Sequence, residues 1–247
     1  MTQPTLNAAT YRFVELLDAA ELRERLFARA QALGLRGTVL LAAEGINLNI
    51  AGAPDNVNAW LTELQADERF AALDIKTSLS DAVPFKRLIV KVKREIIRMN
   101  QPQIRPQARR APAVDAKTLA RWLDQGADDS GRPVVMLDTR NGFEVDAGRF
   151  DGAVDWRIAR FSDFPAALEA HCGELEGRTV VTYCTGGIRC EKAALAMADA
   201  GVENVLQLDG GILRYFEQAG AKHFQGHCFV FDARETLNDT LASTREA

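Results

Sequence analysis

Two α/β domains in tandem are what this sequence predicts, and three observations predict them. Through residue 100, strand-like and helix-like stretches follow the order βαββαβ. From Asp115 onward, short apolar strands alternate with helical stretches, the pattern of a parallel sheet covered by helices on both faces. Between the two, residues 101–114 carry Pro102, Pro106 and Pro112 with almost no large apolar side chain, the composition of a linker. At 247 residues, 47% hydrophobic and 26% charged, the chain is long enough for two separate cores.

In the first domain, 1–100, Tyr11–Leu16 alternates as a strand. Asp18 then caps a helix that carries Leu22, Leu26, Phe27 and Ala30 and stops at Gly34. Gly37–Ala43 is an apolar strand, Glu44-Gly45 a turn, and Ile46, Leu48 and Ile50 alternate with Asn47 and Asn49 in a returning strand. Pro54 opens a second helix with Val57, Trp60, Leu61 and Leu64 on one side, and Arg87–Arg94 closes the unit as a strand with Leu88, Val90 and Val92 inward. This order is that of a ferredoxin-like (acylphosphatase-like) α+β sandwich.

In the second domain, 115–232, Asp115 caps a helix bearing Leu119, Trp122 and Leu123. The strand Val134–Asp138, a helical stretch from Phe161 to Cys172 and the strand Thr179–Tyr183 follow. A helix with Ala193, Ala194, Met197 and Ala198, the strand Asn204–Leu208 and a last helix opened by Gly210-Gly211 complete it, leaving 233–247 as a tail.

Composition excludes several classes. No apolar stretch is long enough to span a membrane, and Met1–Thr10 has neither the basic nor the apolar region of a secretory signal, so a cytoplasmic protein is expected. Cys172, Cys184, Cys190 and Cys228 have neither the density nor the spacing of a disulfide scaffold or a zinc site. His223, His227 and Cys228 lack a fourth ligand, and no metal is assigned. The net charge of −4 argues against bulk nucleic-acid binding, but it is unevenly spread. Lys86, Arg87, Lys91, Lys93, Arg94 and Arg98, continued by Arg105, Arg109 and Arg110, face only Glu95 in the same interval.

The strongest chemical signal is Cys184, where an apolar strand ends in the loop Thr185-Gly186-Gly187-Ile188-Arg189 and a helix begins. Loop N–H groups and the helix N-terminus make an anion cradle there, and Arg189 adds a cation, so a reactive thiolate is expected. The neighbouring Thr185, Gly186 and Gly187 are too small to cover the sulfur. A phosphatase of the Cys-x5-Arg type needs arginine at position 190, where this chain has Cys190. Cys190 itself falls on a different side of the loop if the helix starts on time, and it reads as a packing residue whose functional alternative is a resolving thiol or sulfur relay.

Asp138-Thr139-Arg140, Phe143-Glu144, Gly148–Ala153, Cys184–Arg189 and Asp209-Gly210-Gly211-Ile212 together resemble a rhodanese domain, whose six-residue cysteine loop holds a persulfide. With Ala42–Asn47, Phe85–Lys93, Glu95-Ile96 and Phe229–Asp232 added, most of the chain resembles the bacterial tRNA uridine hydroxylases. The resemblance implies oxygen-dependent synthesis of 5-hydroxyuridine at the wobble position of tRNA, with Cys184 catalytic and Thr185, Gly186, Gly187, Ile188 and Arg189 cradling it. Asp138, Arg140 and Glu144 are expected to support the loop, with Arg140 and Glu144 as an ion pair. Longer relatives carry cysteine-rich tails, and no tail metal site is expected where this chain ends.

Lys86, Arg87, Lys91, Lys93, Arg94 and Arg98 are the candidates for RNA contact, and Phe161 and Tyr183 for stacking on a splayed uridine. Dioxygen and an unidentified electron donor are expected as co-substrates, with no resident cofactor, no membrane and no protein partner. Cys184 acts either as a nucleophile at C6 of the ring or as a persulfide. The rival activity is a sulfurtransferase moving sulfane sulfur through a Cys184 persulfide.

Overall fold

The computed structural model describes residues 4–244. Two units divide it between Ile97 and Arg98, and the first takes back Phe231–Arg234 from late in the chain. Residues 101–114, expected as a linker, therefore belong with the second unit, and the boundary expected at 232 falls inside the returning segment. The first three residues of the expected first domain and the last three of the expected tail lie outside the described residues.

In the first unit, β1 (Thr5–Phe13) begins six residues earlier than its apolar alternation suggests. Thr5, Asn7, Ala8 and Thr10 are small or polar yet buried, because β1 is hydrogen-bonded on both sides. α1 (Ala19–Ala32) follows, then β2 (Arg36–Ala42) and β3 (Gly45–Gly52), an antiparallel hairpin. Asp18 precedes α1 but its carboxylate pairs with Arg69 at 2.5 and 3.0 Å instead of capping the helix. α2 (Pro54–Gln65) buries Val57, Trp60, Leu61 and Leu64, and Trp60 Nε1 donates to Leu26 O. Each such side chain removed from water contributes about 1.5–3 kcal/mol.

β4 (Lys76–Ser80) is hidden by its polar sequence, and it pairs antiparallel with β1, anchored by Asn7 Nδ2 on Ser78 O and Ser80 Oγ. β5 (Leu88–Val92) lies at the opposite edge, parallel to β2. The sheet order β4-β1-β3-β2-β5 makes β4 the fourth strand of the ferredoxin-like core and the basic strand an added fifth. Val90 is buried but Val92, expected inward, is 47% exposed at the edge. Gly45 has a positive φ of 144°, and a Cβ there would lie 2.0 Å from Arg12 O, so the turn into β3 requires glycine.

In the second unit, β6 (Ala113–Val114) pairs with a later strand through Gln207 and Leu208, so the end of the expected linker is an edge strand. Ile104 and Ala111 are buried as well, so a stretch poor in apolar residues still contributes to packing. α3 (Ala116–Gln125) is capped by Asp115, whose Oδ1 accepts from Lys117 N and Thr118 N at 3.0 Å. β7 (Val134–Asp138), α4 (Gly142–Ala147), β8 (Gly148–Phe150), β9 (Val154–Asp155), α5 (Phe164–His171) and β10 (Thr179–Tyr183) follow. α6 (Ile188–Asp199), β11 (Val205–Leu208), α7 (Gly211–Ala219), β12 (Phe224–Gly226), β13 (Cys228–Phe229) and β14 (Thr236–Leu237) end the unit.

Five parallel strands form the main sheet in the order β6-β11-β10-β7-β9. Val181 and Tyr183 join the cluster built on α3 and α7, and successive residues of a strand point to opposite faces, so Val180 and Thr182 meet the other side, where α6 packs on β10. β14, in the expected tail, pairs with β13.

Candidate active site

Cys184 follows the wholly buried β10, at the carboxyl end of a central parallel strand, where open α/β sheets bind ligands. The loop is fixed from both sides. Thr139 N and Oγ1 both donate to Tyr183 O, while Ile212 N donates to Cys184 O and Leu213 N to Thr185 O. Gly187 adopts a left-handed φ of 101°, which turns its N–H onto Cys184 Sγ at 3.1 Å while its carbonyl accepts from Glu191 N to open α6. Gly211 also has a positive φ, and a Cβ there would lie 2.5 Å from Cys184 O and 2.8 Å from Gly187 N. The Gly210-Gly211 motif thus lets the start of α7 rest against the cysteine loop.

Burial pushes the Cys184 thiol up. The hydrogen bond from the Cys190 thiol, the Arg189 charge and the backbone N–H groups of Arg189 and Cys190 outweigh it and hold Cys184 well below the ordinary thiol range. Cys190 moves the opposite way: burial and the neighbouring Cys184 anion keep its proton on. Cys184 is fully buried, so the sulfur is not left open as its small neighbours suggest.

Cys190 sits in the first turn of α6 with its sulfur 3.8 Å from Thr139 Oγ1, the hydroxyl that donates to Tyr183 O at the end of β10.

The expected Arg140–Glu144 ion pair does not form. Arg140 lies outside α4 and clamps Asp138 (Nε–Oδ1 2.9 Å, Nη2–Oδ2 2.6 Å), with Nη2 also on Gly148 O. Glu144 receives the fork of Arg189 at 2.6 and 2.8 Å and accepts from Asn141 N at 3.0 Å. All four residues are buried. Arg189 is thus locked beside the sulfur and supplies a fixed positive field.

Phe161 and Tyr183 are core residues, 5% and 0% exposed, and neither offers a face for stacking. Phe143 on α4 is half exposed and meets Phe229 edge-on at 5.2 Å, and Phe229 O accepts from Thr185 Oγ1 of the loop. Cys228 is a buried thiol pushed up to about 12 by its burial. Lys86, Arg87, Lys91, Lys93, Arg94 and Arg98 are all exposed, and among the described residues none of them forms an ion pair. Arg98 donates to Asn100 Oδ1 at 3.0 Å. No helix among the described residues is long and apolar enough to cross a membrane.

Residues 5–96 match the family described as UPF0176 acylphosphatase like domain, and residues 115–218 match the Rhodanese-like domain family. Fold and cysteine loop together define the class, a rhodanese-type protein preceded by an acylphosphatase-like domain. Near-full-length relatives narrow it. The chain is 63% identical to the tRNA uridine(34) hydroxylase of Bordetella petrii, covering 96% of this chain and 94% of the relative. It is 60% identical to that of Variovorax paradoxus (98% and 92% covered) and 57% to that of Burkholderia pseudomallei (98% and 82%). The chain belongs to the tRNA uridine(34) hydroxylase family.

Proposed function

We propose that this chain hydroxylates the wobble uridine of tRNA to 5-hydroxyuridine in a dioxygen-dependent reaction, with Cys184 as the reacting group. The observation that carries this reading is Cys184 at the end of a central strand, its sulfur taking the Gly187 N–H at 3.1 Å, in a chain that is 57–63% identical to named tRNA uridine(34) hydroxylases. A thiolate can add to C6 of uracil, which makes C5 electron-rich toward an oxygen electrophile. Cys184 is fully buried, so the base reaches it only when the site opens.

The exposed, unpaired Lys86, Arg87, Lys91, Lys93 and Arg94 in and beside β5, with Arg98, meet tRNA phosphates. Such contacts are sequence-independent, so the choice of uridine rests with the loop site. A protein acting on tRNA in this way works in the cytoplasm.

Deleting the gene from a strain with no second route should remove 5-hydroxyuridine from tRNA, and Cys184→Ser should fail to restore it; undiminished 5-hydroxyuridine in the deletion strain would end the assignment. The Rhodanese-like match favours one second reading, sulfur transfer through a Cys184 persulfide. It would be preferred if the protein turned over thiosulfate and cyanide steadily and did not bind tRNA at low salt.

A further inference from the structure

We propose that the first unit holds a pocket that seats one unpaired nucleotide of tRNA, its phosphate on Arg36 and Arg87 and its base against Phe27. The inference rests on the tRNA reading above and deepens it.

The pocket has a volume of about 370 Å³, and Phe27, Gln31, Leu35, Arg36, Arg87 and Leu88 line it where the last turns of α1 meet the starts of β2 and β5. That size falls within the roughly 300–1,000 Å³ of small-molecule sites. The backbone sets its two arginines side by side. β2 and β5 run parallel with Gly37 opposite Leu88, and Gly37 N donates to Arg87 O at 3.0 Å, so Arg36 at the start of β2 neighbours Arg87 just before β5. Arg36, far from the basic run in sequence, thereby joins it in space.

Both arginines are exposed, and among the described residues neither forms an ion pair. No acidic side chain is among the residues lining the pocket, so the two charges call for an anion, and the guanidinium fork matches phosphate oxygens. Most of the remaining lining is apolar. Phe27 and Leu88 are partly buried against the core, and the Arg23 guanidinium lies 5.1 Å from the Phe27 ring centre. Gln31 adds an amide that both donates and accepts. An anion joined to a flat ring with hydrogen-bonding edges is a nucleotide, and unpaired bases are held against aromatic and guanidinium planes.

A free nucleotide shares this chemistry, but the surroundings favour RNA. Lys86 precedes Arg87, and Lys91, Lys93 and Arg94 follow in and beside β5, so phosphates on either side of the seated nucleotide meet further cations. Phosphate contacts carry no sequence information, whereas a seated base does. The pocket therefore helps to fix which stretch of tRNA lies along the basic strand.

The test uses the full chain and fluorescence anisotropy across a salt series, with a labelled tRNA transcript and a fully paired RNA duplex. Arg36→Ala should weaken tRNA binding and reduce its salt slope by about one. Phe27→Leu, which keeps an apolar side chain, should weaken tRNA binding at least about fivefold with the salt slope unchanged, and leave duplex binding as it was. Ultraviolet irradiation of the wild-type complex should cross-link tRNA to the peptide bearing Phe27, a readout that needs no variant to fold.

Arg36→Ala and Phe27→Leu both binding tRNA like the wild type would overturn the inference and leave hydroxylation standing. Equal losses on tRNA and duplex from Phe27→Leu would do the same, as would cross-links confined to other peptides or variants that lose only the binding of free uridine 5′-monophosphate. A wild type that binds neither RNA at low salt would overturn the tRNA reading and the inference together.

Discussion

Replacing Arg189 by leucine separates what the buried fork does for stability from what it does for the sulfur. Arg189 and Glu144 side chains are 7% and 0% exposed, and two of the three bonds on the Glu144 carboxylate come from the guanidinium. Without Arg189 the carboxylate is left buried with Asn141 N alone, and an uncompensated buried charge costs about 3–5 kcal/mol. Arg189→Leu should therefore lower the stability of the rhodanese domain by that amount in denaturant unfolding. The Cys184 thiol, having lost a nearby cation, should titrate closer to its ordinary value, read as thiolate ultraviolet absorbance against Cys184→Ser. The double variant Glu144→Leu/Arg189→Leu removes both charges, and an apolar pair of similar volume should recover most of the stability. It should not recover the low thiol titration. Glu144→Leu alone should lose stability yet keep the sulfur an anion, because Arg189 stays. An Arg189→Leu thiolate that titrates unchanged, or a double variant that regains both properties, would refute the reasoning.

The other expectations concern the loop, its charge and the basic edge. Gly211→Ala puts a Cβ 2.5 Å from Cys184 O at a positive φ, and it should cost about 1–3 kcal/mol in denaturant unfolding. Gly186→Ala, with open space, should stay within about 0.5 kcal/mol. Cys184 is depressed from 9.0 to about 5. Its stabilising contribution is thus complete above the unfolded thiol value and is lost as pH falls toward 5, so the stability gap between wild type and Cys184→Ser should narrow over that window; a gap independent of pH would contradict the anion. Lys91→Ala and Lys93→Ala should weaken tRNA binding and each reduce the salt slope by about one, and an unchanged slope would take β5 out of the interface.

Elements with strong periodicity are legible in the sequence. α2 buries the four residues its spacing marks, and Asp115 caps α3 through its side chain. β4 is not legible, because Lys-Thr-Ser-Leu-Ser has no apolar alternation and becomes a strand only through its ladder with β1. The same ladder explains the early start of β1. Partner identity within the site is harder still. Arg140 and Glu144 have the spacing of a helical pair, but α4 starts at Gly142, so Arg140 is held instead by Asp138 two residues before it. The place of Cys190 depends on the phase of α6, which the left-handed Gly187 sets from within the loop. The cysteine loop itself is legible because strand, glycines and helix lie in one continuous stretch. The contacts that make its sulfur an anion bring together α4, the loop and the first turn of α6.

The central claim, that Cys184 carries an oxygen-dependent hydroxylation of tRNA uridine, meets its most direct test in mass spectrometry of nucleosides from tRNA incubated with the purified protein. Incubations under nitrogen, under air and under heavy-isotope dioxygen, with wild type and Cys184→Ser, cover the alternatives. The account predicts 5-hydroxyuridine only with the wild type and only with oxygen, the added atom carrying the heavy isotope. Product formed under nitrogen, an added atom without the label, or full activity of Cys184→Ser would contradict it.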